Sequence, residues 1–168
     1  MNEENRRKLA EYVEDFHLPR YRELPDIGLH LEQVTRYASR YVPSQLTGSM
    51  VSNYVKQKLI PGPVKKSYFQ ESLAYLIFLS YIKTVISLED IRLMIDLQKS
   101  SYELSVAYDY FCDELENLLQ SVCGLRETPM VIGSTQSQEK ELLRTALLSI
   151  TYQVYLDQYL KLIREEKQ

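Results

Sequence analysis

The chain has 168 residues, 45% of them hydrophobic and 26% charged, with a formal net charge of −3. That apolar content is enough to bury a core in one domain, or one domain with a helical extension, and it excludes a disordered chain. The longest uncharged apolar run, 72–82, stops at Lys83, short of the roughly 20 residues of a membrane span. The opening MNEENRRKLAEYVEDF lacks the apolar block of a secretory signal, so a soluble, cytoplasmic protein is expected.

In chain order, Asn2 to Phe16 reads as an amphipathic helix, followed by the linker LPRYRELPDIG with Pro19, Pro25 and Gly28. Leu31, Val34, Tyr37, Ala38 and Tyr41 repeat at helical spacing over 29–41, closed by Pro43. Thr47 suits the N-cap of a helix running to about Lys58, and PGPVKKS then breaks the chain, with room for at most a tiny hairpin over 61–68. A strongly apolar helix follows over 67–83, and Ser87 with Asp90 forms a capping-box pattern opening another through Leu97. Leu104, Tyr108, Phe111, Leu115, Leu118 and Val122 alternate in steps of four and three, a heptad seam within a helix over 101–122. That seam serves either dimerisation or internal packing against the last helix, since a heptad does not name its partner. A loop from Cys123-Gly124 leads to a final helix from about Gln138 to Glu166, apolar at Leu143, Leu147, Ile150, Val154 and Leu160. The expected fold class is all-α, ending in a C-terminal helical hairpin.

Charge is unevenly placed along this order. From Gln33 to Gln70 there is no Asp or Glu, so Arg36, Arg40, Lys56, Lys58, Lys65 and Lys66 stand uncompensated in an acidic protein. A local positive field suits a polyanion, although a run of neutral residues on a solvated face gives the same count. Within the helix over 47–58, Val51, Tyr54 and Val55 fall on one side, while Ser49, Ser52, Asn53 and Lys56 fall at i, i+3, i+4 and i+7 on the other. Ser and Asn can hydrogen-bond base edges in a major groove and Lys can neutralise phosphate. An ordinary amphipathic surface helix shows the same pattern.

LTGSMVSNYVKQKLIPGP, KKSYFQESLAYLIFLSYIK and ISLEDIRLMI resemble the DNA-binding domain of MerR-type transcription regulators. On that resemblance Tyr54 matches a recognition-helix tyrosine, Lys56 a basic position, Leu59-Ile60-Pro61 the helix stop and Tyr68 the tyrosine that closes the wing. The usual Arg before the tyrosine pair is Ser52 here, the first tyrosine is Asn53, and the wing is shorter. LPDIGLHLEQV with MVSNYVKQKLIPGPVKKSYFQESLAYL is more closely similar to an uncharacterised bacterial family, a domain of unknown function. The MerR resemblance implies a winged-helix-like helix-turn-helix domain over 27–98, after an N-terminal helix and linker over 1–26 and before a C-terminal dimerisation or effector region over 99–168. It implies a homodimeric regulator of double-stranded DNA, contacting it through Thr47, Ser49, Ser52, Asn53, Tyr54, Lys56, Lys58, Lys65, Lys66 and Tyr68, and open to a small-molecule effector. The rival reading is a protein-interaction module that keeps the helix-turn-helix scaffold without DNA affinity.

No enzyme, cofactor or metal site is expected. His17 and His30 sit in unrelated contexts, and the chain has no Gly-rich phosphate loop, HExxH, CxxC or nucleophile elbow. Cys112 and Cys123 lie eleven residues apart in one helix, about 16 Å along its axis and beyond a shared disulfide or metal, and read as packing residues. Tyr152, Tyr155 and Tyr159 form an aromatic stripe that belongs to core or interface, or else to a pocket for a cationic ligand.

Overall fold

The computed structural model describes residues 2–133 and 136–167. Its helices are α1 (Glu3–Glu14), α2 (Leu31–Ala38), α3 (Gly48–Lys56), α4 (Gln70–Ile82), α5 (Leu88–Ser101), α6 (Leu104–Val122) and α7 (Gln138–Glu165), with a 3-10 turn at Tyr21–Glu23. Among the described residues, β pairing is confined to two isolated bridges, Leu29 with Tyr68 and Val64 with Ser67. The protein is all-α, and none of its described helices is long and apolar enough to cross a membrane. Side chains make the helix starts that the sequence marks. Thr47 Oγ1 accepts from the Met50 N–H at 3.2 Å and Ser87 Oγ from that of Asp90 at 3.1 Å, each satisfying an orphan donor of a first turn.

Two compact units divide the chain, Pro19–Asp109 and Met1–Leu18 with Tyr110–Gln168. These boundaries differ from 26/27 and 98/99 because the breaker-rich stretch is packed. Leu24 is buried, Gln70 Nε2 donates to the carbonyls of Tyr21 at 2.7 Å and Leu24 at 3.1 Å, and the Tyr21 N–H donates to Asp109 at 2.7 Å. Pro and Gly stop a helix, but they do not stop a chain from burying its leucines.

Within Pro19–Asp109, α4 is the central element. Ten of its thirteen residues are buried, from Ser72 to Ile82, as expected of a helix apolar on every side. Helix α2 packs on both α3 and α4, contributing Val34 and Ala38 to the core while α3 contributes Val51 and Tyr54. The buried Ser80 hydroxyl returns a 2.7 Å bond to the Leu76 carbonyl, so its burial leaves no orphan donor.

The second unit is built from α1, α6 and α7. Its buried residues include Leu9 and Val13 of α1, Phe111, Leu115, Leu118 and Leu119 of α6, and Leu147 and Ile150 of α7. The last two helices are not a hairpin. Lys140 lies over the Tyr110 ring at 5.1 Å and Arg144 pairs with Glu114, two contacts at one constant offset, so α6 and α7 run parallel. The connecting loop makes this possible by turning back along α6, where Asn117 Nδ2 donates to the Met130 carbonyl and its Oδ1 accepts from the Met130 N–H, both at 2.8 Å. Helix α1 runs antiparallel to α7: Asn5 Nδ2 reaches Glu166 at 3.0 Å, and Tyr12 shares a hydrogen bond with Gln158.

Candidate nucleic-acid interface

Helix α3 is amphipathic in the sense its spacing requires. Val51 and Tyr54 are buried, whereas Ser49, Ser52, Asn53 and Lys56 are exposed together on the opposite side, with Thr47 exposed at the cap. The Thr47 and Ser49 hydroxyls lie 2.9 Å apart. No acid interrupts the segment from Gln33 to Gln70, and its six cations are all solvent-exposed.

The end of α3 carries an unusual residue. Lys58 has φ 59°, its N–H bonds the Val55 carbonyl, and the Leu59 N–H bonds that of Tyr54, each at 2.9 Å. This left-handed cap is the position where glycine is preferred. Arg92 of α5 donates to the carbonyl of Gln57, the residue that closes the helix, complementing the negative end of its dipole.

Two more lysines share that conformation. Val64 and Ser67 exchange backbone hydrogen bonds of 2.9 Å in both directions, and between them Lys65 and Lys66 have φ 48° and 66°. Positive φ at both central residues is the primed hairpin geometry that normally selects Asn-Gly. Lys58, Lys65 and Lys66 are the non-glycine residues with positive φ among those described. Such outliers cost roughly 1 kcal/mol each and gather at functional sites. The turn is held from outside by His30, whose Nδ1 lies 3.3 Å from the Lys66 carbonyl.

Two expected contact residues fall away from this surface. Tyr54 is 4% exposed and Tyr68 is 5% exposed, so neither offers a ring to a partner. The Tyr54 hydroxyl accepts from Lys83 Nζ at 3.2 Å, and Tyr68 pairs with Leu29 through backbone bonds of 2.8 Å while burial raises its phenol pKa. Both are structural residues.

The α6 seam is likewise occupied inside the chain. Tyr108, Phe111, Leu115 and Leu118 are buried, with Leu104 and Val122 half-buried. Leu115 has no exposed surface left, so internal packing fills the middle of this seam. Neither cysteine is in a disulfide among the described residues, Cys112 being buried and Cys123 half-buried. Burial pushes the Cys123 pKa up to about 11. His17 Nδ1 sits 3.3 Å from Glu116. Among the described residues, no group of three or more His, Cys, Asp or Glu is placed to hold a metal.

Other features were missed by sequence reasoning. Ile27, Val64 and Phe69 are exposed at 64%, 62% and 44%, beside the lysine turn. The one available signal is that Phe69, a residue without a capping group, directly precedes an apolar helix. In the Pro19–Asp109 unit an open cavity of about 440 Å³ is lined by Glu71, Tyr75, Gln98, Lys99, Tyr102 and Glu103, with Lys99 Nζ 5.5 Å from the Tyr75 ring centre. Of the tyrosine stripe on α7, Tyr152 is exposed, while the Tyr155 and Tyr159 rings meet at a tilt of 46° with centroids 6.1 Å apart.

No curated protein and no solved structure matches the chain. A family profile does match it, over residues 19–111, which is more than half its length and contains α2 to α5 with the whole of the acid-free segment. The chain therefore belongs to the family described as Domain of unknown function (DUF1836).

Proposed function

We propose that this protein is a DNA-binding transcription regulator without enzymatic activity, with a MerR-like helix-turn-helix made by α2 and α3 and a very short wing made by the Val64–Ser67 turn. The observation that carries the reading is the polar face of α3. Four small or basic side chains, Ser49, Ser52, Asn53 and Lys56, stand exposed on one side of a capped helix inside an acid-free segment. Asn53 is suited to bidentate pairing with adenine, while Lys56, Lys58, Lys65 and Lys66 neutralise phosphates. A single module of this kind buries only roughly 600–1,000 Å² on DNA, so a full site calls for two copies on two half-sites. With the middle of the α6 seam filled internally, that pairing uses another surface. The cavity beside Tyr75 is the candidate place for a small effector.

The test is a salt titration of binding to duplex fragments selected by the protein from genomic DNA. Affinity should fall steeply with salt. Asn53→Ala should lose about 1–3 kcal/mol at one base position, whereas Lys56→Ala should weaken all sequences alike. Equal affinity of the wild type and both variants for the best fragment sinks the reading. A protein-interaction module on the same scaffold is the second reading, favoured by the shortness of the wing and the burial of Tyr54 and Tyr68.

A further inference from the structure

The surface beside the lysine turn breaks local rules in two ways at once. Phe69 is the N-cap of α4, with φ −116° and ψ 177°, and its side chain makes no capping bond. Ser, Thr, Asp or Asn there would satisfy a first-turn N–H that phenylalanine leaves to solvent. The ring is nevertheless well exposed, as are Val64 and Ile27.

Phe69 and Val64 both border Ser67, and Ile27 adjoins it only through its sequence neighbour Gly28. A Cβ on Gly28 would meet Ser67 Cβ at 2.8 Å and the Phe69 ring at 3.4 Å, so the ring lies over bare glycine backbone next to Ser67. Ser67 in turn pairs with Val64 across the turn, and Ile27 precedes Gly28. The result is an apolar surface bordered by the two left-handed lysines, with the exposed acids Asp26 and Glu71 adjoining Ile27 and Phe69 in sequence. An apolar patch held by strained backbone and bordered by cations suits a partner that is polyanionic outside and stacked inside.

We propose that this surface is a wedge for duplex DNA. In this assignment Lys65 and Lys66 lie on the phosphates of the two strands flanking a minor groove, and the Phe69 ring, backed by Val64 and Ile27, enters a base step and opens it. The chemistry is that of minor-groove proteins that use apolar side chains to unstack one step and bend the helix axis. Flexible pyrimidine–purine steps are the favoured substrate because they unstack most readily. The proposal rests on the DNA-binding reading above, but it assigns a second contact with a separate physical signature, deformation of the DNA.

The experiment uses the full chain and a duplex fragment selected by the wild type, with fluorophores at both ends and 2-aminopurine at each candidate step in turn. The wild type should raise energy transfer between the ends and brighten 2-aminopurine at one step. Phe69→Ser, which supplies the missing cap, should fold at least as stably in urea, bind about ten-fold more weakly and leave both signals at the values of free DNA. A one-base bulge at the same step should restore most of its affinity, because the unstacking is then already done. Ile27→Ser/Val64→Ser provides an independent variant should Phe69→Ser fold poorly. If these variants bind and bend the fragment as the wild type does while Asn53→Ala loses affinity, the wedge is overturned and the α3 contact stands. If the wild type binds no duplex at any salt, both fall. Phe69-dependent binding to phosphatidylglycerol vesicles in that case would identify the surface as a membrane contact.

Discussion

Arg92 Nη2 lies 2.5 Å from the carbonyl oxygen of Gln57, so α5 grips the residue at which α3 ends. The exposed polar face of α3 thus has its far end fixed by a helix outside the α2–α3 pair. Arg92→Met keeps the aliphatic stem and removes the donor. It should lower stability by about 0.5–1 kcal/mol in urea denaturation and weaken DNA binding without changing which sequence is preferred, since Arg92 orients the reading surface without belonging to it.

The left-handed lysines set stability against binding. Replacing Lys58, Lys65 or Lys66 by Gly removes the Cβ strain, partly offset by the greater freedom of glycine in the unfolded chain, and should stabilise by about 0.5–1 kcal/mol per site. The same changes delete cations from the proposed surface. Lys65→Gly/Lys66→Gly should therefore raise the melting temperature and flatten the salt dependence of DNA binding by roughly two counterions. A rise in melting temperature with an unchanged salt slope would place the turn off the DNA.

Glu114 is buried, paired with Arg144 through one oxygen, while its other oxygen has no hydrogen-bond partner among the described residues. Arg144→Met strands this carboxylate in the core and should destabilise by about 2–3 kcal/mol, below the roughly 3–5 kcal/mol of a fully buried broken pair because Arg144 is half-exposed. Adding Glu114→Leu should recover most of that loss. A double-mutant cycle in urea measures the coupling, and additive effects would mean the pair contributes nothing specific.

Alkaline stability has a defined direction. Burial raises the Cys123 pKa from its ordinary 9 to about 11 and those of Tyr37 and Tyr75 from 10 to about 12, with Tyr41 adding to the shift at Tyr37 and Glu71 at Tyr75. Each group binds its proton more tightly when folded, so its contribution is complete below the unfolded pKa and is lost as pH rises through the folded one. Stability should decline from pH 9 to about 12 in thermal melts. In a Cys112→Ala background, alkylation of Cys123 should stay slow at pH 8 and accelerate only toward pH 11.

The sequence marked the helices well where a cap and a period agreed. Thr47 and Ser87 cap α3 and α5, and the polar stripe from Ser49 to Lys56 is the exposed side of α3. It failed where long-range packing decides. Proline and glycine between Leu18 and Gly28 suggested a linker, yet Leu18 and Leu24 are buried. The heptad on α6 gave a periodicity without a partner, and nothing local shows that α7 lies parallel to α6, because direction depends on how a loop returns and Asn117 settles that through Met130. Positive φ at three lysines is equally silent, since lysine carries no preference for it. The resemblance implies DNA contacts at Tyr54 and Tyr68, although the spacing of α3 already puts Tyr54 on its apolar side with Val51 and Val55, and both rings are buried.

The parallel course of α6 and α7 constrains the order in which the molecule can assemble. Helix α1 is made well before α7, and the residue that bonds Asn5, Glu166, follows it by 161 residues. During synthesis the Leu9 and Val13 face of α1 waits uncovered, while the contacts within Pro19–Asp109 all become available earlier. Closing so long a loop is entropically slow and leaves apolar surface open meanwhile. Until α7 has been made, the apolar face of α1 lacks the part of its cover that α7 supplies.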